Sequence, residues 1–529
     1  VTNHATKSGT NYGPELLFQL RGGRRRAQLE DRLRELVREG TLPAGSRLPS
    51  SRELAGDLGV SRRLVVDAYA QLLAEGYLLA RPGSGTYVAA TAGVASGPLP
   101  RRSTGPPRLD FFPGAPDLAS FPRALWLRVV REVLQSVPPR AFAYPDVRGA
   151  PELRRALAAY LRRVRGVVAD PGSIVICSGA TQGLALLGRV LARMGAETIA
   201  VEDPCLPPHR AVLAYAGLRV RGMPVDEEGL DVDALRAPTA LGTPAHQRPT
   251  RVAPATPAHQ RPTRVAPATP AHQRPTRVAP ATPAQQCPTG VVLTTPAHQC
   301  PTGVVLSPRR RSSLVEWARA GGLVIEDDYD AEFRYDRAPL GALQGLAPDR
   351  VVYLGTVSKT LAPGLRLGWL VLPASLLDAV VEAKLLDDLG SPTIDQLVLA
   401  RLIETAAYDR HLRKARRRNR ARRDALIAAV AQSLPRARIS GISAGLHALV
   451  RLPRAVDTEL LMTEAARRSL GVYPLGMHMI QPPPATDALV LGYAGLSEAE
   501  IDEGIRRLAA VLEDCEVPGS RLVAEATKG

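Results

Sequence analysis

The sequence predicts a two-part α/β molecule: a small helical head carrying a β-hairpin, then a large body with a mostly parallel sheet. Three observations carry this. Residues 27–90 hold three short segments of helical apolar spacing, then a Gly- and Pro-rich hairpin turn. Residues 91–109, TAGVASGPLPRRSTGPPRL, have the composition of a linker, which at about 3.3 Å per residue spans up to roughly 60 Å. Beyond it, short apolar runs alternate with amphipathic stretches, the rhythm of parallel strands with helices on both faces. The expected boundaries are 1–90 for the head, 91–109 for the linker and 110–529 for the body.

Composition narrows the function classes. The chain has 529 residues, with 68 Lys+Arg against 51 Asp+Glu, a net charge of +17 that nominates an acidic partner such as nucleic acid. No apolar run approaches the roughly 18–20 residues of a membrane helix, and the first twenty residues lack a signal-peptide pattern. The five cysteines (177, 205, 287, 300, 515) show no metal-ligand spacing, so reduced thiols in a cytoplasm are expected, with no metal.

In the head, Leu29, Leu33, Leu36 and Val37 mark a first helix closed by Gly40. Ser50 or Ser51 caps a second that runs through about Leu58, and Ser61 caps a third with the stripe Val65, Ala68, Tyr69, Leu72. Tyr77–Leu79 and Thr86–Val88 are expected as strands around Arg81-Pro82-Gly83-Ser84-Gly85. Three helices and a two-stranded wing make a winged helix-turn-helix, whose third helix enters the major groove of double-stranded DNA. Arg52, Ser61, Arg62 and Arg63 sit at or near helix N-termini, suited to phosphate oxygens and guanine edges. Gly83 and Gly85 let the wing tip approach a backbone closely. The combination LPSSR, LGVSR and GSGTYV resembles the GntR-type winged helix over the whole head.

In the body, strands are expected at Ser173–Cys177, Thr198–Val201, Leu323–Ile325 and Val351–Leu354. Past the last of these lies Lys359, where a lysine with a lowered pKa can form a Schiff base with an aldehyde. The Leu323–Ile325 strand ends in Glu326-Asp327-Asp328-Tyr329-Asp330, and an acid at such a strand end can hold a pyridine nitrogen protonated. Ser178-Gly179-Ala180-Thr181-Gln182 is a small-residue turn into a helix, suited to a phosphate. In this order the set resembles the fold-type I aminotransferases, which bind pyridoxal 5'-phosphate, over roughly residues 110–515. EDDYDAEFRY, TPAHQCPTG and GTVSKTLAPGLRLGW behind the GntR-type head resemble, more narrowly, the MocR subfamily of bacterial transcriptional regulators.

The resemblance implies residue roles. Lys359 becomes the internal aldimine, Asp327 pairs with the pyridinium nitrogen, and Tyr329 with the ring hydroxyl. Ala180, Thr181, Thr356, Ser358 and Arg366 hold the phosphate. Tyr144, in YPDVRG, reaches the phosphate of a neighbouring subunit, which implies a homodimer. Three departures weaken an enzyme reading. Leu206 stands where a ring-stacking tyrosine is usual, Cys300 where an asparagine bonds the ring hydroxyl, and Ala488–Tyr493 lacks the arginine that clamps a substrate carboxylate. The expected function is a cytoplasmic, nucleoid-associated regulator that senses an amino acid or vitamin B6 through Lys359. The alternatives are an active aminotransferase with an appended head and a scaffold that has lost its cofactor.

Thirteen residues, TPAHQRPTRVAPA, begin at Thr243 and recur at Thr256 and Thr269. TPAQQCPTGVVLT follows at Thr282 and TPAHQCPTGVVLS at Thr295. This period matches no common solenoid, and tandem duplication is the simpler reading than a binding array. Only the fifth copy continues into a helix signal, so it is expected at the site, with copy four ending in a strand and the rest of 243–294 inserted. That insertion holds six arginines and no acids, so six of the +17 say nothing about DNA. The densest basic run, Arg410–Arg423, has an apolar side in Leu412, Leu426 and Ile427. A solvated helix face is therefore favoured over a second DNA contact.

Overall fold

The computed structural model describes residues 20, 22–89, 107–236 and 290–515. Two compact units divide the chain, Val1–Gly105 and Pro106–Gly529.

The head comprises α1 (Arg25–Arg38), α2 (Ser51–Asp57), α3 (Arg62–Ala74), β1 (Leu78–Arg81) and β2 (Gly85–Val88). Leu29, Leu33 and Leu36 meet Leu54, Val65, Tyr69, Leu72 and Val88 in one buried cluster. Ser50 caps α2 in a reciprocal box with Glu53, and the Ser61 hydroxyl accepts from the Leu64 amide. Tyr77 falls outside β1, because its amide donates to Leu72 O and so completes the end of α3. An Arg34–Glu75 pair with two hydrogen bonds, 2.7 and 2.8 Å, ties α1 to the end of α3 and lowers the Glu75 carboxyl to about 2.

The body strands are β3 (Leu109–Asp110), β4 (Ile174–Cys177), β5 (Thr198–Asp203), β6 (Arg219–Asp226), β7 (Gly229–Leu230), β8 (Val291–Thr294), β9 (Leu323–Asp328), β10 (Val351–Thr356) and β11 (Gly368–Val371). They continue with β12 (Arg438–Ser440), β13 (His447–Asp457), β14 (Leu470–Gly471) and β15 (Ala485–Gly492). Leu109, expected as the last linker residue, is fully buried and opens β3, which pairs with β14. The large sheet runs β4-β11-β10-β9-β8-β5-β6-β7. From β10 to β6 every pairing is parallel, while β11 is antiparallel to both neighbours.

Alternation along these strands feeds two cores. Ile174, Ile176, Tyr353, Trp369 and Val371 face the helices Pro151–Arg165 and Thr393–Glu404. Val175, Cys177, Val352, Leu354 and Leu370 face Ala180–Arg193. The strand β9 runs three residues beyond the expected Ile325, because its acids are satisfied in place. Glu326 accepts the Leu343 and Gln344 amides, and Asp328 accepts Arg165 Nε and the Tyr353 hydroxyl, both at 2.6 Å. A smaller antiparallel sheet, β12-β13-β15, packs on Ala407–Ser433 and Glu498–Asp514 and forms the second lobe. Among the described residues no helix is long and apolar enough to cross a membrane, and no His/Cys/Asp/Glu cluster is arranged for a metal.

Candidate functional site

A cavity of about 240 Å³ opens at the C-terminal ends of β5, β8, β9 and β10, where open α/β sheets bind ligands. Eight of the nine residues expected around a cofactor line it: Lys359, Asp327, Tyr329, Ala180, Thr181, Thr356, Ser358 and Arg366. Lys359 follows β10 by three residues, and its Nζ donates to Gly114 O at 2.7 Å. Burial lowers its pKa, and the nearby Cys300, Asp330 and Asp327 only partly offset this. Gly114 sits at φ +74°, which favours glycine, and a Cβ there would lie 3.1 Å from Nζ and press on the lysine.

Asp327 ends in this cavity with one oxygen, Oδ1, buried and without a partner. Burial, then the neighbouring Asp328 and Asp330, push its carboxyl up to about 8. Its other oxygen lies 3.4 Å from His209 Nδ1, whose pKa burial pushes down to about 4. Burial thus disfavours the charged form of both partners in this contact. A cationic N–H brought to Oδ1 would relieve the unpaired atom and restore the carboxylate.

The opposite end is built for an anion. Gly179, at φ +80°, starts the helix Ala180–Arg193 and leaves its first N–H groups open to the cavity. Arg366 Nη2 donates to Ser178 O at 2.5 Å and crosses Gly179 so closely that a Cβ there would lie 3.1 Å from Nη1. The Thr356 and Ser358 hydroxyls are 2.8 Å apart on the same wall. Gln182 fixes the loop from behind, accepting from the Ser178 amide and donating to Asp387 and Asp388.

Tyr144 is not in this cavity. It is 87% exposed and lines a separate groove. Leu206 and Cys300 do line the cavity, so the two replaced polar groups face it. The fifth repeat copy supplies the wall through Thr295 and Cys300, and copy four supplies β8. Copies one to three lie outside the described residues.

Four site residues gave no usable signal in the sequence. His298 Nδ1 lies 3.0 and 3.1 Å from the two Asp330 oxygens and 3.1 Å from the Tyr329 hydroxyl. Glu202, at the end of β5, accepts from Thr294 Oγ1, Thr295 N, Thr295 Oγ1 and Gln299 Nε2. His209 and His447 complete the wall. His298 repeats in register with histidines of earlier copies, which hides it, and the others lie far apart in the chain. In the head, Arg52, Ser61, Arg62, Arg63, Gly83 and Gly85 are exposed. Among the described residues none of these arginines forms an ion pair, and Arg62 Nε reaches Ser51 Oγ at 3.5 Å.

The two units thus define a class: a winged helix-turn-helix joined to an aminotransferase-type body with a lysine in its cavity. Residues 25–88 match the gntR family of bacterial regulatory proteins, and residues 122–508 match aminotransferase class I and II. The chain is 30% identical to a probable rhizopine catabolism regulatory protein, MocR, of Rhizobium meliloti, covering 94% of this chain and 96% of the relative. It is 33% identical to the pyridoxine biosynthesis regulator PdxR of Corynebacterium glutamicum, covering 89% and 92%. Among solved structures, the kynurenine aminotransferase of Pyrococcus horikoshii superposes with a TM-score of 0.63 at 25% identity, over 78% of this chain and 92% of that one. The LysN aminotransferase of Thermus thermophilus, solved with N-(5'-phosphopyridoxyl)-L-leucine, gives 0.61 at 25% identity, over 77% and 92%. The chain belongs to the MocR-type transcriptional regulators of the gntR family, whose aminotransferase-type body implies dependence on pyridoxal phosphate.

Proposed function

We propose that the body holds pyridoxal 5'-phosphate at Lys359 and that the state of this site biases how the head engages promoter DNA. The observation that carries this is the buried, unpartnered Asp327 Oδ1, facing the same cavity as a desolvated lysine and an open helix N-terminus. Bound there, the cofactor supplies an aldehyde that captures amines and a ring that accepts electrons. Lys359 would be the residue that holds the aldehyde, because desolvation favours the neutral, nucleophilic form of its amine. Asp327, through its unpartnered Oδ1, would hold a proton on the pyridine nitrogen. The Ala180 and Thr181 amides, Thr356, Ser358 and Arg366 would hold its phosphate, and Tyr329, with His298 3.1 Å behind its hydroxyl, would hold the ring hydroxyl.

The effector is an amino acid or a B6 compound, and promoter DNA is contacted by Arg52, Ser61, Arg62, Arg63 and the Gly83–Gly85 wing tip. The exposed Tyr144 suits a homodimer in which it serves the partner's phosphate. Among the described residues the cavity wall contains no arginine besides Arg366, which disfavours turnover of substrates that need a carboxylate clamp. An effector acts only through different affinities for two states of the chain, so its binding and DNA affinity must be reciprocally linked.

The test is absorbance of the purified protein with pyridoxal phosphate, followed by borohydride reduction and peptide mapping. A visible chromophore and a reduced adduct on Lys359, both lost in Lys359→Ala, are expected. No chromophore, or an adduct elsewhere, overturns the reading.

A further inference from the structure

The structure assigns a second anion site on the body, a basic track along the helix Ala407–Ser433, and we propose that it binds the phosphate backbone of the duplex held by the head. The proposal rests on the reading of the head as DNA-binding. The sequence alone favours a solvated helix face here. Three structural observations change the balance.

First, the cations form one stripe. Arg410, Arg413, Arg417 and Arg420 follow at intervals of three or four residues, with Lys414 beside Arg413, and all five are exposed. At 1.5 Å per residue they extend over about 15 Å. Second, the stripe forms the wall of a groove of about 650 Å³, whose other side bears the exposed Arg123 and Arg128 from the helix Arg123–Ser136. Among the described residues no carboxylate lines it, although Arg128 pairs with Glu132 at 3.9 Å. Third, the central cations are uncommitted. Arg413, Lys414 and Arg417 form no ion pair among the described residues. Arg418, which also borders the groove, and Arg422 are paired instead with Asp117 at 3.3 and 3.0 Å. Arg420, at the end of the row, pairs with Asp424 at 4.0 Å, so the unpaired positive potential accumulates at the centre of the row, around Arg413, Lys414 and Arg417.

The shape favours a duplex over a small polyphosphate. A compact ligand needs convergent donors in one pocket. Here Arg413 and Arg417 also line a second concavity with Arg416, Arg420 and Tyr335, so the cations continue past the groove as a track. Each phosphate neutralised adds about 0.9 to the salt dependence of binding.

The experiment compares full-length wild type with the triple variant Arg413→Ala, Lys414→Ala, Arg417→Ala. Two duplexes are used: one limited to the head's site, and one extended by about 30 base pairs on each side, roughly 100 Å of helix at 3.4 Å per pair. On the long duplex the slope of log affinity against log salt should fall by about two to three, with hydroxyl-radical protection retreating to the head's site. On the short duplex affinity and slope should not change, which also reports an intact fold. Equal slopes for both proteins on the long duplex overturn the proposal. So does loss of inorganic tripolyphosphate binding with DNA binding unaltered, which makes the groove a small-anion site. The double variant Arg52→Ala, Arg62→Ala separates the two readings: if it binds the short duplex as wild type does, the head assignment fails, while the long-duplex slope still tests the track.

Discussion

Gly-Val-Val-Leu occurs at 290–293 and again at 303–306, and the two copies adopt different structures. In the first, Val291–Leu293 lie in β8, buried and hydrogen-bonded in parallel to β5 and β9. In the second, Gly303 turns through φ +74°, the Gln299 amide donates to Val304 O, and Leu306 N reaches back to Pro296 O. That copy closes a turn on itself and hands over to Ser307, which caps the helix Pro308–Arg319. Intrinsic propensity is identical in the two, so it decides neither. The deciding terms are the gap between two buried strands in one case and a helix cap in the other. The duplicated segment has become structural at one position and part of the cavity wall at the next.

The strongest test exchanges what fills that gap. Deleting 282–294 brings Arg277-Val278-Ala279-Pro280-Ala281 of copy three into the β8 position. Pro280 then replaces Leu293 in a central strand, where it removes a ladder donor, and Arg277 replaces Gly290, whose would-be Cβ already lies 3.0 Å from Trp317. Loss of cooperative urea unfolding and of the chromophore is expected. Deleting 243–294 supplies Thr239-Ala240-Leu241-Gly242 instead. This has no proline, but it loses the fully buried Val292 side chain and the Thr294–Glu202 hydrogen bond, so the protein should fold with a lower midpoint. Deleting 243–281 leaves copy four in place and should change stability by no more than about 1 kcal/mol. An intact first deletion would break the comparison, since copy four would then not be what completes the sheet.

A point substitution asks the same question at one residue. Val292→Ala removes two methyl groups from a fully buried strand position and should cost about 2 kcal/mol. Its duplicate, Val305→Ala, is only half-buried in the turn and should cost less than about 1 kcal/mol. Equal losses in urea titrations would mean that the turn is packed as tightly as the strand.

What was legible in the sequence follows the same division. The head was readable because caps, glycines and an apolar stripe are local signals, as with Ser61 and Gly40. The cavity was readable wherever a motif names both strand and side chain, as with Asp327 and Lys359. It failed where partners meet only through the sheet. Glu202 serves Thr294 and Thr295 from over ninety positions away in the chain, and His298 finds Asp330 through the turn of copy five. The spare histidines of the repeats made His298 look incidental. Strand ends were misjudged where buried acids stay paired, as at Glu326 and Asp328.

Glu202 joins the two copies, since it holds the last residue of copy four and the first of copy five. Glu202→Gln should cost about 1.5 kcal/mol, because an amide must then face the Gln299 donor. Burial raises the Glu202 carboxyl above its ordinary range. The folded chain thus binds this proton more tightly than the unfolded one, and that stabilisation is present at low pH and lost as pH rises through the folded value. Glutamine stays neutral throughout. The gap between wild type and variant should therefore shrink as pH rises above the ordinary glutamate range in urea titrations. A gap that widens would mean that the donors around Glu202 hold it ionised.

The smallest expected effect lies in the paired glycines, and it isolates backbone from packing. Gly303→Ala places a Cβ at φ +74°, where its nearest contacts are ordinary ones at 3.4 Å, so the cost is backbone strain of about 1 kcal/mol. Gly290→Ala has no such strain. It gains from a stiffer unfolded chain and loses by pressing on Trp317 Cζ2, two terms of opposite sign and similar size, so its midpoint should stay within about 0.5 kcal/mol of wild type. The same substitution in the same local sequence then separates the copies by conformation alone. If Gly303→Ala proves neutral while Gly290→Ala is costly, packing against Trp317 rather than the turn at Gly303 distinguishes the two copies.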